Sequence, residues 1–502
     1  VDTTLITITF IVHRNQRLIF LLKAGFFALV VYFPLFMHLE NLPIRQWDES
    51  RLAMNAYEMN KNGNFIVTHY QGSPDMWNTK PPLMIWLQVL FIKLLGAGEL
   101  AIRLPAALAA LFTCAGLLIF STRVIKSYWP GILAVLVLVT SDGYIANHVS
   151  RTGDYDALLI MTTTFYALFF VIFLESGEIR FIYLTAAGLI AAVLTKGIAG
   201  LLFTPALFIY LLLKNKLVVL LKNKHLYASF AAFVLIAGGY YFLREHYNPG
   251  YWEAVMENEL GGRYFETLEG HQHPYWYYFF NIVEVDFVPW YLLVPLGVLF
   301  GLFHKNPVVK NLTIYLLLLV LVYFFAVSSG KTRLHWYSAP LFPFLSLLVA
   351  LFLWYWLDFF TDSDILRYNL RRNVLPVAFL FMIFVSPYSK IIDKVYKPQE
   401  PVSAEQYAFL TQLQKGLQGK KNLNHYSLCY TGEITPARFY IHLLQDKGIK
   451  IMVADSGNLR PGDRVMAFQQ DVKKKIEELY EVTVKEEFNN VKVYDIIHEC
   501  RN

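Results

Sequence analysis

The chain has 502 residues, 56% of them hydrophobic by the wide count and 16% aromatic, but only 16% charged. Soluble domains carry roughly 25% charged residues, so an ordinary soluble globular protein is excluded, and the repeated long apolar runs make this a polytopic α-helical membrane protein. The net charge of +6 says nothing useful about nucleic acid, since the cations lie mainly in loops between those runs; no nucleic-acid partner is expected, and Cys114, Cys429 and Cys500 have no metal-type spacing.

The first apolar run follows His13, Arg14 and Arg17 and includes Lys23; it reads as a signal anchor that stays in place. Candidate spans are 18–38, 103–121, 130–148, 156–174, 181–195, 198–213, 227–243, 287–303, 312–328, 337–357 and 373–387. Segment 83–96 is apolar but short and is placed as a surface or re-entrant helix; counting it and a partner raises the expected number from 11 toward 13. Alternate loops carry Arg123 and Lys126, Arg180, Lys214 to Lys224, Lys305 and Lys310, and Arg367 to Arg372. By the positive-inside rule these loops and the N-terminus are cytoplasmic. The opposite face of the membrane then receives 39–102, 149–155, the turn near 195–198, 244–286, 329–336 and the tail. A transmembrane domain is therefore expected over 1–387 and an extracytoplasmic α/β domain over 388–502.

The tail is polar and mixed in charge. Tyr407, Leu410, Leu413 and Leu417 place an amphipathic helix at 402–418. Strand-like runs follow at 426–430, 449–454, 464–468, 482–485 and 491–497, with helical segments at 435–446 and 470–480 and a turn at Pro461-Gly462-Asp463. Cys429 and Cys500 are read either as a pair formed in an oxidising compartment or as free thiols.

Chemistry-bearing residues concentrate on the expected outer face. Asp48 and Glu49 follow the first span: a carboxylate there can serve as a general base, or Asp48 can cap the helical-looking run from Ser50 to Lys61. Lys80 precedes Pro81-Pro82, a good helix start, where it can bind an anion or snorkel at the interface. Asp154 and Asp156 can hold a divalent cation or pair with Arg151, the pairing being the plainer reading. Lys196 between two apolar segments is costly unless it faces protein, water or a ligand. His271 and His273 precede an aromatic belt, Tyr275 to Tyr278; they can ligate a metal, but plain hydrogen bonding is the commoner role of such loop histidines. Lys331, Arg333 and His335 run against the charge bias and are candidates for an anionic ligand such as a phosphate.

Taken together, these pieces resemble the GT-C glycosyltransferases that use polyprenyl-phosphate sugars, in particular the bacterial aminoarabinose (lipid A) transferases and the protein mannosyltransferase-like group. The resemblance covers about 18–345. It rests on Asp48-Glu49-x-Arg51, Thr79-Lys80-Pro81-Pro82-Leu83, Arg103-Leu104-Pro105 and Thr195-Lys196-Gly197. It continues in His273-Pro274-Tyr275-Trp276-Tyr277-Tyr278, Pro289-Trp290 and Arg333-Leu334-x-x-Tyr337-x-x-Pro340. It implies a GT-C fold and inverting transfer of a sugar from an undecaprenyl-type phosphate to lipid A or another acceptor. Asp48, with Glu49, would be catalytic; Lys80, Arg263, Arg333 and Tyr337 would hold the donor phosphate. Arg51, Trp77, Asp154, Lys196, His273, Lys331 and His335 would be secondary site residues. Relatives commonly have Phe-Glu before Lys-Pro-Pro, where this chain has Asn78-Thr79, so no metal ligand is carried over, and a divalent metal stays an open cofactor. His273 stands where relatives often have Arg. Alternatives are transfer to protein or glycan, a transporter or flippase of a lipid-linked sugar, and a relative that only binds prenyl phosphate. Expected partners are the polyprenyl-phosphate sugar, the acceptor and membrane lipids.

Overall fold

Apolar runs become helices here because nothing else satisfies backbone N–H and C=O groups away from water. The computed structural model describes residues 2–145, 148–261, 264, 270–362, 369–396 and 404–500. Among the described residues, eight helices are long and apolar enough to cross a membrane, or nine if a pair bent by 110°, Tyr277–Asp286 and Trp290–Phe303, is one broken span. Three shorter apolar helices, Leu83–Leu95, Trp129–Val139 and Thr204–Leu213, add to them. The larger number expected from sequence is reached only by counting these short helices as spans.

Each shortfall has a local cause. The run expected at 130–148 breaks after Val139, where Thr140 and Ser141 turn their hydroxyls back onto the carbonyls of Leu136 and Val137 at 2.6 Å each, and a separate one-turn helix follows at Asp142–Ile145. An 11-residue helix is about 16 Å long, against a hydrocarbon core of about 30 Å. Its side chains from Ile132 to Val139 are all buried, so it is a core helix. The run expected at 198–213 divides into a 3₁₀ turn, Gly197–Leu201, and the helix Thr204–Leu213. Gly200 lies so close to the preceding helix that a Cβ would sit 2.5 Å from the Ala192 carbonyl carbon. The expected span 287–303 is the second arm of the bent pair.

The chain forms two compact units: Val1–His38, Thr79–Met84 and Leu104–Tyr396 make one, and Leu39–Asn78, Ile85–Arg103 and Lys397–Asn502 make the other. In the first, Asp156–Ser176 and Ile179–Lys196 pack as neighbours joined at Gly177, which adopts φ +70°. Asn306 caps Pro307–Ser329 by accepting from the Val308 N–H at 2.9 Å. Helix Val294–Phe303 approaches Phe342–Asp362 at Gly297, where a Cβ would be 2.1 Å from the Leu348 carbonyl oxygen.

The second unit holds the helix Asp48–Asn62, a two-strand hairpin (β1, His69–Tyr70; β2, Ser73–Pro74), and the tail. The tail strands are β3 (Tyr426–Cys429), β4 (Ile451–Val453), β5 (Arg464–Ala467), β6 (Tyr480–Phe488) and β7 (Val491–Glu499), in the order β4-β3-β5-β7-β6. The β3 pairings with β4 and β5 are parallel; β7 runs antiparallel to β5 and β6. Helices Ala404–Leu417, Thr435–Asp446 and Gln470–Leu479 complete it. These elements coincide with the strand and helix runs expected from sequence. The three cysteines are free thiols, Cys429 buried and Cys500 exposed. Tail and first loop fold as one body: the Tyr440 hydroxyl accepts from the Ile44 N–H at 2.9 Å and donates to Glu99 at 2.6 Å, and Gln414 donates to the Glu40 carbonyl.

Candidate functional site

Asp48 opens its helix, but it does not cap it. The cap position belongs to Trp47, at φ +71° and with no side-chain cap hydrogen bond, and Asp48 lies in the first turn. The Trp47 carbonyl accepts from the Arg51 N–H and the Ser50 hydroxyl, each at 2.9 Å. A bulky residue at positive φ is costly and is held only by surrounding structure. Here that strained turn fixes where the Asp48 side chain leaves the backbone.

Glu49 is enclosed. Its oxygens accept from Arg103 Nε at 2.7 Å and Nη2 at 2.9 Å, and from the Arg45 backbone N–H at 2.7 Å. Arg103 spends its other donors on the carbonyls of Leu39, Leu42 and Pro43. Arg51 makes a two-pronged pair with Asp75, 2.7 Å at each prong, and lies over the Tyr70 ring at 3.5 Å and the Trp77 ring at 5.2 Å. Asp75 also accepts from Asn55 and from the backbone N–H groups of Trp77 and Asn78. Burial alone raises the Asp75 pKa; the Arg51 hydrogen bond and charge, with Asn55 and Asn78, more than offset it and hold the group below its usual value. Asp75 was not singled out from sequence, because its partners lie 20 and 24 positions upstream.

The first unit contains a cavity of ≈ 380 Å³ lined by Lys80, Asp156, Lys196, Glu259, Tyr323 and Tyr337, with apolar wall from Leu159, Leu202, Ala326 and Val327. Lys196, which ends its helix, gives two hydrogen bonds to Asp156 at 2.7 and 2.8 Å and lies 5.3 Å from the Tyr337 ring centre. This corrects the pairing expected from sequence: Asp156 takes Lys196, Asp154 takes His148 at 2.6 Å, and Arg151 donates to the carbonyls of Pro34 and Met37. Burial works against ionised Asp154, but the hydrogen bond and charge of His148, then Lys196 and the Tyr155 N–H, keep its pKa below the usual carboxylate value. Lys80 lies 3.5 Å from Glu259 and 5.6 Å from the Tyr155 ring centre. The preceding Thr79 carbonyl accepts from the Tyr251 hydroxyl at 2.6 Å.

Of the residues expected to hold a phosphate, Lys80 and Tyr337 therefore share one cavity with Lys196. Arg263 lies outside the described residues. Arg333 is turned to backbone, donating to the carbonyls of Ser328 and His273, and is not among the cavity-lining residues. Its strand-like segment is zipped to the preceding loop: Lys331 N–H to the Tyr264 carbonyl, Arg333 N–H to the His271 carbonyl, and a Gln272–Thr332 bridge. Lys331 itself is exposed. His273 stacks on Tyr277 with centroids 4.0 Å apart, and His335 Nε2 meets Asp286 Oδ1 at 2.7 Å. Trp77 and Trp47 are exposed. Glu259 and Asp286 received no site role from the sequence, since neither stands in a motif.

The family described as dolichyl-phosphate-mannose-protein mannosyltransferase matches residues 79–240. The chain is 26% identical over 339 residues to the undecaprenyl phosphate-alpha-4-amino-4-deoxy-L-arabinose arabinosyl transferase of Edwardsiella ictaluri, covering 65% of this chain and 59% of that protein. It is 26% identical over 344 residues to a Proteus mirabilis protein of the same description, covering 67% and 59%. The matched part thus spans about 59% of the length of these relatives. Among solved structures, ArnT from Cupriavidus metallidurans bound to undecaprenyl phosphate aligns with TM-score 0.69 at 16% identity, covering 94% of this chain and 97% of that one. The Archaeoglobus fulgidus oligosaccharyltransferase aligns with TM-score 0.55 at 10% identity, covering 94% and 74%. The fold is shared across these proteins.

Proposed function

We propose that this aminoarabinose-transferase-like GT-C protein is an inverting glycosyltransferase that moves a sugar from a polyprenyl phosphate to an acceptor. The observation that carries the reading is the pair of lysines, Lys80 and Lys196, with Tyr337, on one largely apolar cavity. A buried lysine and a largely shielded one, each beside a carboxylate, open on apolar wall and suit a ligand with an anionic head and a hydrocarbon chain. The sequence likeness to arabinosyl transferases supports the same assignment.

In this reading an acceptor hydroxyl attacks the anomeric carbon while Asp48 takes its proton. The bond from that carbon to the phosphate oxygen breaks in the same displacement, with inversion. Lys80, Arg263 and Tyr337 stabilise the charge that develops on the departing lipid phosphate, and Arg333 ties its own segment to the loop at His273. Glu49, with both oxygens engaged, positions the turn beneath Asp48 rather than taking a proton.

The lysine and arginine bias of the loops favours a cytoplasmic N-terminus in the inner membrane and an extracytoplasmic tail. Lipid A is the acceptor that the resemblance read from the sequence implies; protein or glycan acceptors leave the same donor half in place. The test is incubation of the purified protein with undecaprenyl-phosphate sugars and a cell-envelope extract, followed by mass spectrometry, with Asp48→Asn as control. A mass gain on an acceptor, absent in the control, supports transfer and names the acceptor. Movement of intact lipid across vesicles without cleavage of any donor favours the transporter. Repeating the assay with EDTA decides whether a divalent ion takes part.

A further inference from the structure

Lys80 meets a carboxylate from a distant part of the chain. Glu259, in the π-helical turn Met256–Gly261, accepts from Thr79 Oγ1 at 3.3 Å and places the same oxygen, Oε1, 3.5 Å from Lys80 Nζ. Both side chains of this ion pair are largely shielded, 10% exposed for Lys80 and 14% for Glu259, and both line the cavity. The pairing differs from the one beside it. Lys196 binds both oxygens of Asp156 at 2.7 and 2.8 Å, a fixed pair, whereas Lys80 faces one oxygen at longer range. Glu259 is thus near enough to Lys80 to act on any anion there without consuming it.

We infer that Glu259 sets the charge preference of the phosphate site at Lys80, disfavouring a doubly charged lipid phosphate relative to a singly charged phosphodiester. This rests on the proposed donor reading. The sugar donor is a phosphodiester with one negative charge. When the sugar–oxygen bond breaks, its electron pair stays on the phosphate oxygen and the product is a monoester, whose second ionisation near pH 6 gives it about −1.5 to −2 charges at pH 7. Lys80 attracts both species. Glu259 repels each in proportion to its charge, and little water screens that repulsion in a shielded site. The carboxylate therefore weighs more heavily on the product than on the donor and hastens product departure. Glu259 is a specificity-determining residue, not one that touches the reacting atoms.

The test measures affinities of undecaprenyl phosphate and of its methyl phosphodiester for the purified full-length protein. Wild type, Glu259→Gln and Glu259→Asp are compared at pH 7.5. Removing the charge in Glu259→Gln is expected to tighten the monoester roughly tenfold more than the diester, with a matching fall in the product-inhibition constant. Glu259→Asp keeps the wild-type ratio. Should Glu259→Gln fail to fold, Glu259→Ala, which also removes the charge, shifts the ratio in the same direction. Equal tightening of both lipids, or none, overturns the inference while leaving the donor site standing. Binding of neither lipid to wild type overturns the donor site, and this inference with it.

Discussion

Arg103 and Glu49, 54 positions apart, form a buried two-pronged ion pair, with Nε to Oε1 at 2.7 Å and Nη2 to Oε2 at 2.9 Å. Breaking such a pair by removing one partner strands the other charge and typically costs about 3–5 kcal/mol. Arg103→Leu is therefore expected to lower the thermal unfolding midpoint in detergent sharply. Asp48→Asn, by contrast, should leave the midpoint within a few degrees of wild type and abolish transfer. Equal destabilisation by the two changes would remove the distinction between a supporting Glu49 and a reacting Asp48.

Lys80→Ala should weaken donor binding by about 1.5–3 kcal/mol, the usual worth of a hydrogen bond to a charged group, with acceptor affinity unchanged. Titration of an undecaprenyl-phosphate sugar against wild type and variant checks this. Arg333→Ala is expected to act differently. Because its guanidinium is held by the Ser328 and His273 carbonyls, the loss should show first as faster proteolysis or exchange in 270–273.

The buried Lys196–Asp156 pair invites a double-mutant cycle. Lys196→Met or Asp156→Leu alone leaves an unpaired charge beside the cavity and should cost about 3–5 kcal/mol, while the double variant should regain most of that stability. Donor binding should stay weak in the double variant, because the cation is gone. Full recovery of binding along with stability would assign the pair to structure alone.

Asp75 gives a pH signature. Its folded pKa is depressed, so its contribution is fully present above the unfolded value of about 3.9 and is lost as pH falls through the lower folded value. Unfolding midpoints measured from pH 6 to pH 3 should fall more steeply in wild type than in Asp75→Asn. The variant should be less stable throughout, since Arg51 then faces a neutral partner.

The tail could be read almost residue by residue, because alternation and helical spacing are local signals that survive without knowledge of neighbours. The long spans were legible for the same reason. The short helices were not: hydropathy shows that 130–148 is apolar, but not that the helix breaks at Thr140 and Ser141 before the separate turn Asp142–Ile145. Within the candidate site, Lys196 could be found because a lysine between two apolar segments demands an explanation. Its choice of Asp156 over Asp154 could not, since both acids fall in one short stretch and three-dimensional packing decides between them. The role of Glu259, one polar residue among several in its loop, could not be read because its partners, Thr79 and Lys80, lie about 180 positions earlier in the chain.

The joining of Tyr440 to Ile44, 396 positions apart, has a consequence for biosynthesis. At roughly 5–20 residues per second, Ile44 leaves the ribosome some 20–80 seconds before Tyr440 is made. During that interval the loop bearing Asp48 has none of its tail partners. The unit that carries the expected base thus matures last, and a nascent chain arrested anywhere before the tail would hold its membrane helices with the second unit unfinished.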